Sequence, residues 1–237
     1  MLQIKEFDDW KFDGKKIRFK TQLKDCFRKI NSVKSKNLVI DVRNNDGGNE
    51  KYGLDLYSYL TDKPFRGYKQ IDLRTTRFRY KKYSNTSRFE YLWIKLFLKS
   101  KKANDTTYLV TNDKATDEYP PYHEPFRGKI YIMVNGGSFS TTSDFTALAK
   151  SNQFATFVGE ETGGSYLGNT SNYSVLITLP NTKIKINVPV TRYQTNVTLN
   201  NNFGRGTIPD YEVIYSIDDI IHGFDKDLDT VLSLIKK

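Results

Sequence analysis

Two short segments carry residue types that could do chemistry. The first is Asp46-Gly47-Gly48. Glycines let a chain turn so that amide N–H groups converge, and converging amides stabilise an oxyanion or hold a phosphate. The same dipeptide is also an ordinary turn. The second is Ser138-Phe139-Ser140-Thr141. A serine on a sharp strand-to-helix turn exposes its hydroxyl, and the helix N-terminus behind it favours negative charge. Such a serine is a nucleophile or an N-cap, for which Ser and Thr are both good residues. Neither the glycine spacing of a dinucleotide fingerprint nor the lysine of a phosphate loop is present, so nucleotide binding has little support.

The elements around these segments place both at strand ends. Residues 37–43 form a short β-branched apolar run, the mark of a buried strand, and it ends in the first glycine turn. A helix over 50–60 follows, stopped before Pro64. Residues 128–134 repeat the buried-strand pattern, Asn135-Gly136-Gly137 breaks it, and residues 138–144 lead into a helix with Phe145 and Leu148 on one face. Residues 21–32 read as an amphipathic helix with Leu23, Cys26, Phe27 and Ile30 on one side, which makes Cys26 a buried structural thiol. A strand over 154–159, a turn over 160–164 and a hairpin around Pro180-Asn181 come next. Asp225 caps a last helix carrying Leu228, Val231, Leu232 and Ile235. Alternating strands and helices predict an α/β fold with its chemistry at the strand ends. Residues 66–128 are less regular and hold a predicted aromatic helix over 88–99, with Phe89, Leu92, Trp93, Leu96 and Phe97 on one face. We expect one domain over 1–237, with 66–128 as an insertion-like segment.

The net charge of +10 would attract nucleic acid, anionic membrane or acidic polypeptide alike. No zinc spacing or RRM-like aromatic signature accompanies it, so no specific nucleic-acid partner is expected and the charge reads as solvated surface. A single cysteine, Cys26, permits no disulfide within the chain. Cys26, His123 and His222 lie far apart in sequence and suggest no metal site. No apolar run approaches the ~20 residues of a membrane span. No signal peptide is visible, and the residues after Met1 read at once as a strand.

Four segments, in order, resemble the tail-specific, or C-terminal-processing, serine peptidase family. They are Leu38 to Gly48 (LVIDVRNNDGG), Gly128 to Phe145 with Ser140 inside it, Val158 to Gly164 (VGEETGG) and Gly206 to Val213 (GTIPDYEV). Each motif is weak alone, and four in order are specific. The resemblance implies an α/β fold of the crotonase and Clp peptidase kind, a spiral of strand-strand-helix units, here with one helical insertion. It implies Ser140 as nucleophile, and an oxyanion hole from the amide of Thr141 with that of Gly47 or Gly48. It implies polypeptide substrates, often unstructured or C-terminal segments, no cofactor, and a periplasmic, outer-envelope or secreted location. Oligomeric state is left open.

The base is where the sequence departs from the family pattern. Position 165, where one branch places a lysine, is Ser165, and Lys150 reads as a surface residue of the helix after Ser140. The tricorn-like branch, which this chain resembles more, uses a histidine from a preceding region and a glutamate ahead of the closing motif. Here that stretch is Asn202-Phe203-Gly204-Arg205-Gly206, and Glu160 and Glu161 in the third motif receive no role. His123 and His222 read as surface or capping residues. The expectation is a catalytic region whose base-bearing N-terminal part lies outside this chain. The alternative is a degenerate member that binds a peptide or other ligand without cleaving it.

Overall fold

The computed structural model describes residues 1–75, 80–85, 99–171, 173–198 and 203–236. They divide into two compact units, one of 1–67, 118–167 and 197–237, the other of 68–117 and 168–196.

The first unit is built on a five-stranded parallel sheet. In chain order its elements are β1 (Leu2–Gln3), α1 (Phe19–Ser32), β2 (Asn37–Asp41), α2 (Glu50–Ser58), β3 (Lys129–Val134), α3 (Thr141–Ser151), β4 (Ala155–Gly159), β5 (Tyr211–Glu212), α4 (Ile217–His222) and α5 (Lys226–Lys236). The strands lie side by side in the order β1-β2-β3-β4-β5, with Ile132 registered on Ile40 and Val134 on Gly159. Successive side chains of a strand point to opposite faces. Leu38, Ile40, Ile130, Ile132 and Val134 therefore face one core, with Phe19, Leu23 and Phe27 of α1, Leu54 and Leu56 of α2, and Phe145 and Leu148 of α3. Val39, Tyr131, Met133 and Val158 face the other, closed by Val213 and by Val231 of α5. Burial on both faces is why β2 and β3 read as unbroken apolar runs rather than alternating ones. The predicted α/β class with buried strands is observed, and the sheet is parallel.

Local signals fix the helix ends. Asn49 caps α2 by accepting the N–H of Lys51 at 3.0 Å. Asp225 caps α5 by accepting that of Leu228 at 3.1 Å, as its position predicts. Cys26 departs from expectation: its position on α1 leaves it partly rather than fully buried.

The second unit is an antiparallel sheet in the order Gly168–Asn169, Thr191–Thr195, Tyr68–Leu73, Tyr108–Val110, Ser100–Lys102, around Tyr68, Ile71, Leu73, Val110 and Tyr193. The predicted hairpin is present as Ser174–Thr178 against Lys185–Pro189, with Ile177 opposite Ile186. The predicted aromatic helix over 88–99 falls outside the described residues, Lys99 excepted.

At the carboxyl end of β2, Asp41 and Arg43 begin a buried ion network. Arg43 donates to both oxygens of Asp41, to both of Asp225 and to Oδ2 of Asp227, at 2.7–2.9 Å. Arg43 holds the Asp225 carboxyl below its ordinary range, whereas burial outweighs Arg43 at Asp227 and pushes that carboxyl up. Removing one member of a fully buried network costs about 3–5 kcal/mol; here the Asp225 side chain is 42% exposed, and the expected cost is about 1–3 kcal/mol. Arg43→Met is expected to lose stability on that scale, read as a fall in the urea midpoint at unchanged slope. A urea midpoint unchanged from that of the parent would mean that the network is not holding the C-terminal helix.

Candidate active site

Ser140 occupies the residue before α3, the N-cap place, with φ 53° and ψ −126°. That is glycine territory, the first central position of a type II′ turn, and a serine there stores about 1–3 kcal/mol of strain. Its carbonyl accepts the N–H of Asp144 at 3.0 Å and so begins the helix. Its side chain makes no cap hydrogen bond. Among the described residues nothing hydrogen-bonds Oγ. The N-cap reading of Ser140 therefore fails: the residue is held in a strained turn with a free hydroxyl.

The strain is held by its neighbours. Ser138 is fully buried, and its Oγ donates to the carbonyl of Val42 at 2.8 Å. Its own carbonyl accepts from Gly163 N–H at 3.1 Å and Ser143 Oγ at 3.0 Å. The N–H of Phe139 donates to the carbonyl of Asn45 at 3.0 Å, and Thr141 Oγ1 to that of Gly48 at 2.7 Å. The two glycine-bearing turns are thus tied to each other, one at the end of β2 and one at the end of β3.

Gly47 stands against the serine. A Cβ on Gly47 would lie 2.6 Å from Ser140 Cβ and 3.0 Å from the Thr141 nitrogen, and its φ is +112°. Gly48, at φ +131°, has its missing side chain aimed into the carbonyl of Phe7. The two glycines differ in what their amides do. Gly47 N–H is spent on Asn45 Oδ1 at 3.0 Å. Gly48 N–H and Thr141 N–H have no acceptor among the described residues. Of the two alternatives offered by the sequence, Gly48 is the one with a donor to spare.

Asn45 is a residue that sequence reasoning missed. It is fully buried, donates from Nδ2 to the carbonyl of Ile4 at 2.9 Å, and shapes the turn by holding Gly47 N–H. Its only sequence signal was membership of an Asn-Asn-Asp-Gly-Gly turn.

The third and fourth motifs brace the back of the elbow. Glu161 accepts from Nε and Nη2 of Arg205 and, at 2.7 Å, from the N–H of Gly206. Thr207 N–H donates to Thr162 Oγ1 at 2.8 Å, and the hydroxyls of Thr207 and Thr146 meet at 3.1 Å. Asp210 accepts the N–H of Phe157 at 2.8 Å and pairs with Lys150. Arg205, with help from Gly206 N–H, holds the Glu161 carboxyl below its usual range against a smaller opposing effect of burial. A folded-state value below the unfolded one stabilises above the unfolded value of ~4.3 and is lost as pH falls through the folded value. The thermal midpoint of Glu161→Gln should therefore trail the parent most near pH 6–7, with the gap closing below pH ~4. A gap that does not change between pH 3 and 7 would contradict this tie.

The candidate bases are elsewhere. Lys150 lies on α3 as expected, nine residues from the first residue of the helix and about 13 Å along it, and pairs with Asp210. Ser165 is exposed, and its Oγ accepts the N–H of Leu167. His123 is exposed beside Tyr122, whose N–H donates to the carbonyl of Ser58, the last residue of α2. Ser140 packs on Gly47, ahead of the other end of that helix. His222 is exposed at the end of α4, with Nδ1 2.8 Å from the carbonyl of Asp218. Glu160 is exposed. Among the described residues no group of three His, Cys, Asp or Glu side chains could hold a metal, and no helix is long and apolar enough to cross a membrane.

Comparison with known proteins bears on this arrangement. No curated protein sequence matches the chain. Among solved structures, mature CPAF is 17% identical with a TM-score of 0.64, over 98% of this chain and 50% of its own length. A candidate peptidase from Parabacteroides merdae ATCC 43184 is 18% identical with a TM-score of 0.59, over 98% of this chain and 59% of its own. A candidate S41 protease from Bacteroides fragilis NCTC 9343 is 16% identical with a TM-score of 0.51, over 97% and 56%. The chain thus spans about half to three-fifths of the length of these structures, and at such identities they show a shared fold. The model of one protein family, described as peptidase family S41, matches residues 1–213 and so takes in the strained serine, both glycine turns and the closing Pro-Asp motif. On that match the chain belongs to peptidase family S41.

Proposed function

We propose that this chain is the catalytic region of a serine peptidase acting through an acyl-enzyme on Ser140. The observation that carries the proposal is the elbow itself: a non-glycine residue at φ 53° whose hydroxyl caps nothing. Oγ attacks the carbonyl carbon of a peptide bond and gives its proton to a base. The developing oxyanion sits between the N–H groups of Thr141 and Gly48, each such donor being worth about 3 kcal/mol of barrier. Collapse of the tetrahedral species breaks the C–N bond, the amine leaves with a proton, and an ester on Ser140 remains. Water then attacks the ester and restores the hydroxyl. The partial positive charge at the N-terminus of α3 favours the same oxyanion.

The substrates are polypeptide segments cut internally, unstructured or near a C-terminus, and bound as an added strand. The strands and helices of the first unit belong to a spiral of the crotonase and Clp peptidase kind, with the second unit inserted in one catalytic domain. The location is the cell envelope or the exterior. Family membership and resemblance support these three statements.

The test, made on the whole protein rather than on this catalytic region alone, is labelling by a fluorophosphonate, which reacts only with an activated serine, together with cleavage of a disordered polypeptide such as casein. Labelling and cleavage are the expected results. A protein that binds such a polypeptide but neither labels nor cleaves it is a binding module instead.

A further inference from the structure

Helix α4 is a short, firmly ended element. Ser216 and Asp219 form a reciprocal capping box at its start, and Gly223 closes it in the left-handed conformation at φ 67°. Ile217, Ile220 and Ile221 recur at i, i+3 and i+4, the spacing that normally turns a stripe toward a core, and Phe224 follows just past the Gly223 cap. Here the stripe faces outward. Those four residues and Ile214 are between 58% and 77% exposed, and Tyr211 of the edge strand β5 is 46% exposed. Helix α4 buries none of its residues.

Scattered exposed hydrophobes need no explanation, but six in one short segment form a patch. At these exposures they offer roughly 700 Å², above the ~300–600 Å² of a typical monomer's largest patch and close to the ~800 Å² per partner of a stable interface.

We infer that this face joins two copies of the chain across a two-fold axis, with α4 packed antiparallel on α4 of the second copy. A two-fold interface uses the same patch twice, so the patch must complement itself. A stripe of isoleucines flanked by a phenylalanine can interdigitate with its own copy. Antiparallel packing also sets Asp218, in the acidic first turn, opposite His222 of the second copy, in the last turn, and opposes the helix dipoles. The flanking charge disfavours a lipid surface. Asp218 and Asp229 are exposed here, while Lys226 is paired with Asp219, and Asp225 and Asp227 with Arg43, so the exposed rim is acidic and anionic headgroups are repelled by it. The inference does not depend on the role of Ser140.

Sedimentation equilibrium from about 1 to 100 µM tests it. The parent chain is expected at twice its 27.5 kDa mass over the upper part of that range. Ile217→Asp with Ile221→Asp should remain monomeric throughout, with an unchanged thermal midpoint because both positions are exposed. Asp218→Lys alone should raise the dissociation constant at least tenfold, and His222→Asp added to it should restore part of the loss. A parent chain monomeric at 100 µM overturns the inference, as does a dimer indifferent to the double aspartate variant. Co-sedimentation of a monomer with phosphatidylethanolamine–phosphatidylglycerol vesicles, abolished by that variant, overturns it in favour of a lipid surface.

Discussion

Ser140→Ala is expected to lower hydrolysis of a disordered polypeptide by on the order of 10⁵-fold or more, as loss of a serine nucleophile does elsewhere. Polypeptide binding should be nearly unchanged, because the substitution removes one atom. The stability of a companion variant separates this role from a cap. Ser140→Gly relieves a residue held at φ 53°, and should raise the unfolding free energy by about 1 kcal/mol. Loss of a true serine N-cap to glycine would instead cost a few tenths of a kcal/mol. An activity surviving in the alanine variant would remove Ser140 from the chemistry. A destabilised glycine variant would mean that the turn is not strained as its dihedral angles indicate.

The second large effect is expected at Gly47, a residue that supplies no catalytic atom. In Gly47→Ala the new methyl group would stand 2.6 Å from Ser140 Cβ and 3.0 Å from the nitrogen of Thr141, at a φ that alanine rarely adopts. Something has to move, and both neighbours belong to the proposed site. A displacement of ~1 Å costs roughly 10²-fold, and a lost oxyanion donor 10²–10³-fold. Turnover is therefore expected to fall by about 10³-fold or more. The fall should appear in kcat more than in KM, since the oxyanion exists only after attack. A variant that keeps parental kcat would mean that the glycine turn does not approach the serine in solution. Equal loss in kcat of a variant that is unfolded by circular dichroism would not bear on the site, so the measurement is made on the folded fraction.

How much of this was legible in the sequence varied with the range of the interactions. The strands β2 and β3 were readable because a strand buried on both faces is apolar at every position, and both ends were marked by glycine. Ser140 was readable as a residue type at a strand-to-helix junction. Its left-handed backbone was not, since a serine before a helix is usually the cap. What decides between the two is Gly47, drawn up against Ser140 from 93 residues earlier in the chain, the same separation as the Thr141–Gly48 hydrogen bond. Asn45 was hidden for the same reason: its partner Ile4 lies 41 residues away. Arg43 and Asp225 are 182 residues apart, so Asp225 could be read as a cap but not as an ion-pair partner. The second unit is the extreme case. Its central strands, Tyr68–Leu73 and Thr191–Thr195, are far apart in sequence, Thr191 pairing with Leu73 118 residues earlier, and no periodicity announces their pairing. Helix α4 showed the reverse failure. Its stripe is plain in the sequence, yet periodicity alone does not say whether a stripe meets a core or the outside.

The central claim concerns one hydroxyl, and site mapping addresses it directly. The intact protein is treated with a fluorophosphonate, digested, and the adduct located by tandem mass spectrometry. A single adduct on the peptide bearing Ser138 and Ser140, with fragment ions placing it on Ser140, is the predicted result. An adduct on Ser138, on Ser143 or on any serine outside this turn would contradict the mechanism.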